Sequence, residues 1–217
     1  MLIKESGFPV LMKVSTGVKD IDQLFQFDSE LLTVLYGAPG TGKTTLALLT
    51  TIANWKKKVI YIDTENGFST ERLKQLAPNY KEFIENIIHI HPPTLEEQEK
   101  VILNLNEKSA PVIIVDTIGY HYRTEVKGDP YKANKSLDNQ LKKLTELTKK
   151  GVFVLLINQV YSDMKGNVMI VGGEMMKNWS KMLIQLEKNP RAVRVEKPFE
   201  LKIPFEIKQS GIVKREG

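Results

Sequence analysis

Eight consecutive residues form the clearest chemical motif in this sequence. Residues 37–44 match the pattern G-x-x-x-x-G-K-[ST] at every fixed position. Glycine lets a loop wrap tightly, so that backbone N–H groups converge on phosphate oxygens in front of a helix N-terminus. The sequence therefore predicts a phosphate-binding loop (P-loop) made of Gly37, Ala38, Pro39, Gly40, Thr41, Gly42, Lys43 and Thr44.

Two side chains of the P-loop suit a nucleoside triphosphate that is bound with magnesium. Lys43 places a cation on the outer phosphates, where it also assists catalysis, and Thr44 offers its hydroxyl to Mg²⁺. We therefore predict ATP and Mg²⁺ as the cofactors, with Thr45 as a further nucleotide contact. The alternative is a chance glycine turn. The apolar run at 31–36 before the loop and the helical pattern at 44–55 after it disfavour that alternative.

Three polar residues lie at the ends of apolar, β-branched runs further along the chain, namely Glu65, Asp116 and Gln159. Ligands of open parallel sheets bind beyond the carboxyl ends of the strands, so catalytic residues are expected there. Asp116 is predicted to reach the metal through a water molecule, and Glu65 to orient and deprotonate the attacking water. Gln159 is predicted to sense the γ-phosphate or that water and to pass this state to the next loop. Each of the three could instead be a helix cap or a solvated strand end.

The runs that end in these residues alternate with helical patterns. Apolar runs predict five strands, at residues 31–36, 59–62, 87–90, 112–115 and 152–157. Helical periodicity lies between them, for example over 94–107, where Pro111 ends the pattern, and from Ser69 onward. Such alternation predicts an α/β fold with a mostly parallel, twisted sheet flanked by helices.

The C-terminal part of the sequence has a different pattern. Its apolar segments have no helix between them, and Asn189-Pro190 marks a turn. This arrangement predicts an antiparallel C-terminal edge of the sheet, formed by residues 182–186, 193–195 and 201–207.

The amino-acid composition limits the classes of protein to which this chain can belong. A chain of 217 residues with 41% hydrophobic content suits one domain, which we divide into an N-terminal extension (1–13) and an ATPase core (14–217). The sequence has no cysteine, which excludes disulfides, cysteine metal sites and a thiol nucleophile. It has no run of about 18 apolar residues, so we expect a cytoplasmic protein. The formal net charge of +5 is compatible with nucleic acid or an acidic partner.

Several short motifs besides the P-loop resemble those of one protein family. They are Ser-Thr-Gly-Val at 15–18, Tyr-Ile-Asp-Thr-Glu-Asn-Gly-Phe at 61–68, His-Tyr-Arg at 121–123, Asn-Gln-Val-Tyr at 158–161 and Gly-Gly at 172–173. With them the chain resembles the ATPase core of RecA-family recombinases over roughly residues 14–211, and in particular a short archaeal paralogue of the main recombinase.

The resemblance implies a RecA-like P-loop ATPase fold and roles for three residues. Glu65 corresponds to the glutamate that activates water, Gln159 to the nucleotide-sensing glutamine, and Arg72 to an arginine near the adenine. On the sequence alone, Arg72 could equally lie on a solvated helix face.

The resemblance also implies DNA binding, through two segments at residues 123–135 and 161–178. Cations hold phosphates and aromatic rings stack bases, and both segments contain such residues besides Tyr131 and Tyr161. The DNA-binding candidates are Arg123, Lys127, Lys132, Lys135, Lys165 and Lys177. The alternative is that these basic residues only keep the surface soluble, and the second segment also contains Asp163 and Glu174.

The sequence departs from the family pattern in three places. Full-length recombinases have an additional N-terminal helical domain, whereas only residues 1–13 precede the shared region here. The segment Phe8-Pro9-Val10-Leu11 ends in leucine where the family's subunit-joining motif ends in alanine. The second predicted DNA segment lacks the run of small hydroxyl residues that a strand-exchanging enzyme is expected to have.

These departures predict an accessory recombinase paralogue for recombination and repair. It would bind ATP, hydrolyse it weakly, bind single-stranded DNA, and carry out no strand exchange of its own. The resemblance implies the main recombinase RadA and a Holliday-junction resolvase as partners. Two alternatives stay open at this point, a DNA-stimulated strand-exchange ATPase and a signalling ATPase that acts on proteins only.

Overall fold

The computed structural model of the chain describes residues 12–162 and 168–215. Within this part the strands are β1 (Lys13–Val14), β2 (Phe27–Asp28), β3 (Thr33–Gly37), β4 (Val59–Asp63), β5 (Ile87–Ile90), β6 (Val112–Asp116), β7 (Phe153–Ser162), β8 (Val168–Ile170), β9 (Met182–Lys188), β10 (Arg191–Lys197), β11 (Leu201–Lys208) and β12 (Gly211–Lys214). The α-helices are α1 (Lys19–Asp22), α2 (Lys43–Ala53), α3 (Thr70–Leu76), α4 (Leu95–Asn104), α5 (Tyr120–Glu125), α6 (Pro130–Thr148) and α7 (Gly173–Trp179).

One twisted sheet positions the rest of the chain. Its strands follow the order β12–β11–β10–β9–β3–β7–β6–β4–β5, with β8 paired to the far end of β7. The six strands from β9 to β5 are parallel, and β10, β11 and β12 are antiparallel. Strands β3, β4 and β6 are buried at every residue, as expected of parallel strands covered on both faces. The predicted fold class is therefore confirmed.

Each face of the sheet has its own apolar core. On one face, α2 packs its leucines against the sheet, with Phe27, Phe153 and Phe205 among the largest buried side chains. On the other, α4 and α6 pack against the sheet, and a stripe of leucines on α6 is fully buried at Leu137, Leu141 and Leu144. Burial of such side chains stabilises the fold by about 1.5–3 kcal/mol each.

Three boundaries differ from the sequence-based predictions. The helix predicted over 94–107 begins as expected, because the Thr94 side chain caps it, but α4 ends at Asn104. The strand predicted to end near Gln159 continues to Ser162, because residues 160–162 pair with β8. Strand β9 pairs in parallel with β3, so the antiparallel edge begins at β10, and β12 was not predicted.

The predicted division into an extension (1–13) and a core (14–217) stays a prediction. Residues 1–11, including the Phe8-Pro9-Val10-Leu11 segment, lie outside the described part of the chain. Lys13 and Val14, which lie on either side of the predicted boundary, form β1, which pairs with β2. In residues 12–162 and 168–215, no helix has the length and apolar character needed to span a membrane.

Candidate nucleotide-binding site

The sheet brings the predicted site residues to one edge. In the strand register Gly37 of β3 lies opposite Gln159 of β7, and Asp116 of β6 lies opposite Asp63 of β4. Glu65 follows Asp63 by two residues. Because these strands are parallel neighbours, the P-loop, Gln159, Asp116 and the end of β4 all emerge at the same carboxyl edge, where open α/β sheets bind ligands.

The P-loop connects the end of β3 at Gly37 to the start of α2 at Lys43. Gly42, which precedes the helix, has φ = 103°, a conformation that favours glycine. A Cβ atom at Gly42 would lie only 2.9 Å from Cδ1 of Ile207 in β11, so the end of that side chain packs closely against the loop. The N-terminus of α2 therefore opens directly onto the loop, where its N–H groups favour an anion.

Lys43 lies in the loop as a nearly buried cation. Its Nζ donates hydrogen bonds to the carbonyl oxygens of Gly37 (2.9 Å) and Ala38 (3.0 Å). Burial lowers the pKa of Lys43, while the negative charges of Asp116 and Glu65 oppose this effect. Phosphate oxygens near this ammonium would stabilise its charge.

Asp116 is a buried carboxylate of the site, with 6% of its surface exposed. Burial raises its pKa from the usual 3.8 to about 6, against the effect of hydrogen bonds with Tyr61 and Thr44. The Tyr61 hydroxyl donates to Asp116 Oδ2 at 2.8 Å. The hydroxyl of Thr44 and the carboxylate of Asp116 are the hard oxygen donors that Mg²⁺ takes, and a cation there would favour the ionised carboxylate. These residues therefore fit magnesium, which when bound neutralises charge on the phosphates.

Glu65 lies on the exposed side of the site, and three polar side chains are linked to it. Its Oε1 accepts hydrogen bonds from the Thr117 hydroxyl and, at 2.6 Å, from Nε2 of Gln159. The amide oxygen of Gln159 in turn accepts a hydrogen bond from Nη1 of Arg123 at 3.2 Å. A continuous chain of hydrogen bonds thus runs from the end of β4 through β7 to α5.

Hydrogen bonds between the ends of β4 and β6 fix the backbone next to Glu65. The Thr64 hydroxyl donates to the carbonyl oxygen of Thr117 (2.8 Å) and accepts from the N–H of Thr117 (2.9 Å). The N–H of Thr64 donates to the carbonyl of Asp116 at 2.8 Å. These bonds hold the ends of β4 and β6 together, so the two carboxylates of the site have a defined spacing.

Arg72 lies on α3, which the Ser69 side chain caps as predicted. Its Nη1 donates to Oε1 of Gln75 (2.8 Å) and to the carbonyl oxygen of Gln209 (3.2 Å) in the turn between β11 and β12. The role of Arg72 at the adenine stays a prediction. The described contacts place it against the C-terminal hairpin rather than against the P-loop.

A cavity of about 250 Å³ lies at the N-terminus of α2, and Thr45 and Ile207 line it together with P-loop residues. Ile207 was not predicted as a residue of this site, because it lies in a strand with no recognisable motif around it. Only the packing of β11 against Gly42 brings it to the site.

The DNA-binding candidates lie mostly on helices. Arg123 lies on α5, Lys132 and Lys135 are in the first turns of α6, and Lys177 is on α7. The segment predicted as a loop at 123–135 is helical apart from the stretch around Lys127, because Asp129 caps α6 and Pro130 begins it. Lys165 lies outside the described residues.

These cations differ in their surroundings. Lys132 lies 3.9 Å from Glu125, and Lys177 lies 3.0 Å from Glu174. Within the described part of the chain, Arg123 is the DNA-binding candidate whose side chain bonds to a residue of the nucleotide site.

A mainly apolar cavity of about 580 Å³ lies next to Arg123, between α5 and the β7–β8 hairpin. Two tyrosines, Tyr122 and Tyr161, and the cations Arg123 and Lys127 are among its lining residues. The combination of aromatic rings and positive charge suits nucleotides that are not base-paired.

Comparisons with known proteins agree with this architecture. The family model described as Rad51 matches residues 9–213. The DNA repair and recombination protein RadB of Methanocaldococcus jannaschii is 39% identical over 196 residues, which cover 84% of this chain and 92% of that protein. RadB of Methanococcus maripaludis strain C7 is 37% identical over 203 residues, covering 85% and 92%.

The comparison with a solved structure agrees with these sequence matches. The crystal structure of the RadB recombinase superposes with a TM-score of 0.77 at 32% sequence identity, and the match covers 94% of this chain and all of that one. The resemblance to RecA-family proteins is therefore confirmed. The chain belongs to the Rad51 family of RecA-like proteins and, within it, to the archaeal RadB group.

Proposed function

We propose that this protein is an ATP-binding accessory factor of DNA recombination and repair, whose affinity for DNA depends on the bound nucleotide. It hydrolyses ATP slowly and performs no strand exchange of its own. The names of its relatives, DNA repair and recombination proteins, support the setting.

One observation supports the coupling of nucleotide to DNA more than any other. The hydrogen-bond chain from Glu65 through Gln159 reaches Arg123, so a residue at the nucleotide site and a DNA-binding candidate share one intermediate side chain. If Gln159 turns toward a γ-phosphate, it must loosen one of these two bonds. Arg123 would then be released or reoriented, which alters the surface offered to DNA.

In this proposal the residues of the site have separate tasks. The P-loop N–H groups and Lys43 hold the phosphates, and Thr44 and Asp116 hold magnesium, the latter through water. Glu65 orients the attacking water, because its exposed carboxylate is within reach of solvent beside the loop. The hydrogen bonds from Thr117 and Gln159 hold the Glu65 carboxylate in place beside the loop.

Single-stranded DNA is the proposed ligand of the second site. Its phosphates would contact the cations along α5 and the start of α6, and its bases would reach Tyr122 and Tyr161 at the cavity beside Arg123. The family resemblance further suggests the main recombinase and a Holliday-junction resolvase as protein partners. We assign no surface to these partners.

The central experiment measures single-stranded DNA affinity without nucleotide, with ADP and with a non-hydrolysable ATP analogue, each with Mg²⁺. We expect a several-fold difference between the ATP-analogue state and the others in the unaltered protein. Lys43→Ala should abolish this difference, and Lys142→Ala, which removes the same charge from the exposed face of α6, should keep it.

Two results would contradict the proposal. Equal DNA affinity of the unaltered protein in all three states would exclude a nucleotide-dependent switch. Strong acceleration of ATP turnover by single-stranded DNA would instead identify a strand-exchange ATPase or motor.

A further inference from the structure

Two cations flank the turn between β9 and β10. Lys188 ends β9, Arg191 begins β10, and the antiparallel register places them directly opposite each other. Directly opposed residues project from the same face of a sheet, where like charges destabilise each other. An anion beside this pair would offset the repulsion.

The same pair lies against the P-loop. Nη1 of Arg191 donates a hydrogen bond of 3.0 Å to the carbonyl oxygen of Gly40. Nζ of Lys188 lies 3.8 Å from the position that a Cβ atom on Gly40 would occupy. Strand β9 runs beside β3 with Leu186 opposite Gly37, so the turn extends past the start of the loop and reaches its middle.

Glu187, the acidic residue next to Lys188, does not neutralise this pair of cations. Glu187 accepts a hydrogen bond from Arg194 at 2.6 Å and lies 2.7 Å from the ammonium of Lys202. Since adjacent residues of a strand point to opposite faces, Glu187 lies on the face away from Lys188. In residues 12–162 and 168–215, no carboxylate oxygen lies within 4.0 Å of Lys188 or Arg191. Their charge remains available to an external anion.

We propose that Lys188 binds the terminal phosphate of a nucleoside triphosphate held in the P-loop, and that Arg191 fixes the hairpin for this contact. The inference rests on the proposed binding of ATP by the loop. Arg191 donates a hydrogen bond to the carbonyl oxygen of Gly40 and so joins the hairpin to the backbone of the P-loop. Lys188 is exposed on a flexible four-carbon stem, and its ammonium can turn toward the outer edge of the loop.

This arrangement has a consequence for the nucleotide preference of the protein. Both cations belong to the chain that contains the P-loop, so the proposed contact is made within one chain. Lys188 acts only where a third phosphate is present, and it therefore favours ATP over ADP. Arg191 is a positioning residue, and its loss should affect both nucleotides through the loop.

The test compares the affinities of Lys188→Ala for a non-hydrolysable ATP analogue and for ADP, each with Mg²⁺, by calorimetry on the full chain. We expect the ATP-analogue affinity to fall about fivefold to tenfold, as for loss of one charged hydrogen bond, and the ADP affinity by less than about twofold. Lys188→Arg should restore most of the loss. Lys142→Ala is the matched control and should change neither affinity.

The outcomes separate this inference from the proposed function. If the unaltered protein binds both nucleotides and Lys188→Ala keeps their affinity ratio, the inference is wrong and the proposed function stands. If Lys188→Ala weakens single-stranded DNA binding but leaves that ratio unchanged, the cations serve DNA and the inference is again wrong. If the unaltered protein binds neither nucleotide, the proposed function itself fails.

Discussion

The two carboxylates at the carboxyl edge of the sheet have opposite surroundings. Asp116 is enclosed by side chains of the core and by Thr44, and burial raises its pKa to about 6. Glu65, at the end of the neighbouring strand, is exposed and accepts hydrogen bonds from Thr117 and Gln159. Enclosure suits a residue that holds a metal at a fixed point, whereas exposure suits a residue that meets water.

The difference extends beyond the carboxylates themselves. From Asp116 the contacts lead inward to Tyr61, which is fully buried and packs edge-on against Phe68. From Glu65 they lead outward, through Gln159 to Arg123 on the surface. We infer that the enclosed side of the site sets nucleotide and metal affinity, and that the exposed side reports the nucleotide state to DNA.

The largest expected effect separates chemistry from binding. Glu65→Gln removes a base but keeps a side chain of the same shape, so ATP turnover should fall by at least about 100-fold while nucleotide affinity stays within about twofold. Single-turnover hydrolysis and calorimetry measure the two quantities. Glu71→Gln, the same change on the exposed surface of α3, is the control. Equal loss of turnover and affinity would show that Glu65 belongs to the binding side.

The next prediction concerns the enclosed side and its pH dependence. The raised pKa of Asp116 means that the folded state binds a proton more tightly than the unfolded state. Without magnesium, stability should therefore fall as pH rises from about 4 to about 7, by up to about 3 kcal/mol from this residue. In Asp116→Asn this contribution is absent.

Melting curves in EDTA at several pH values test this prediction. The melting temperature of Asp116→Asn relative to the unaltered protein should rise between pH 4 and pH 7, by about 2–4 °C for each kcal/mol. Glu146→Gln on the exposed face of α6 should follow the unaltered protein. Parallel curves for Asp116→Asn and the unaltered protein would mean that the carboxyl is not destabilised by its burial.

A smaller effect tests the hydrogen bonds that lead from Glu65 through Gln159 to Arg123. Gln159→Ala and Arg123→Ala should each reduce the difference in DNA affinity between the ATP-analogue and ADP states to less than about twofold, because each breaks the link between Glu65 and α5. Tyr61→Phe, which alters the inward contacts, should keep that difference. If Tyr61→Phe removed it as well, the division into two sides would be wrong.

Local sequence patterns were sufficient to predict the fold and the positions of the strand-end residues. The P-loop and Asp116 each follow an apolar run directly, and Glu65 comes three residues after one. Such a run followed by polar residues is visible without any knowledge of the neighbouring strands. Their roles remain predictions, but their placement at one edge follows from the parallel register.

Features that depend on distant pairing could not be predicted from such patterns. The Gln159–Glu65 bond joins residues 94 positions apart, and it requires the strand order β7–β6–β4. The extension of β7 depends on its pairing with β8, and the contact of Arg191 with Gly40 depends on β9 lying beside β3. The family resemblance implied a loop over 123–135, whereas the Asp129 cap and Pro130 at the first helical position begin α6 there.

The smallest expected effect compares the two proposed DNA segments. Lys127→Glu with Lys132→Glu changes the segment that is linked to Glu65, where the Lys132 ammonium lies 3.9 Å from Glu125. Lys177→Glu changes α7, where Glu174 lies closer, 3.0 Å from the ammonium. We expect the double variant to weaken single-stranded DNA binding several-fold and to reduce the salt dependence by about one ion per lysine. Lys177→Glu should change affinity by less than about twofold, since a cation paired with a carboxylate contributes little to phosphate binding. Titrations at several salt concentrations, with Lys142→Glu and Lys149→Glu as the charge-matched control, decide between the segments. A larger loss for Lys177→Glu would place DNA on the second segment and remove the reason for a signal through Arg123.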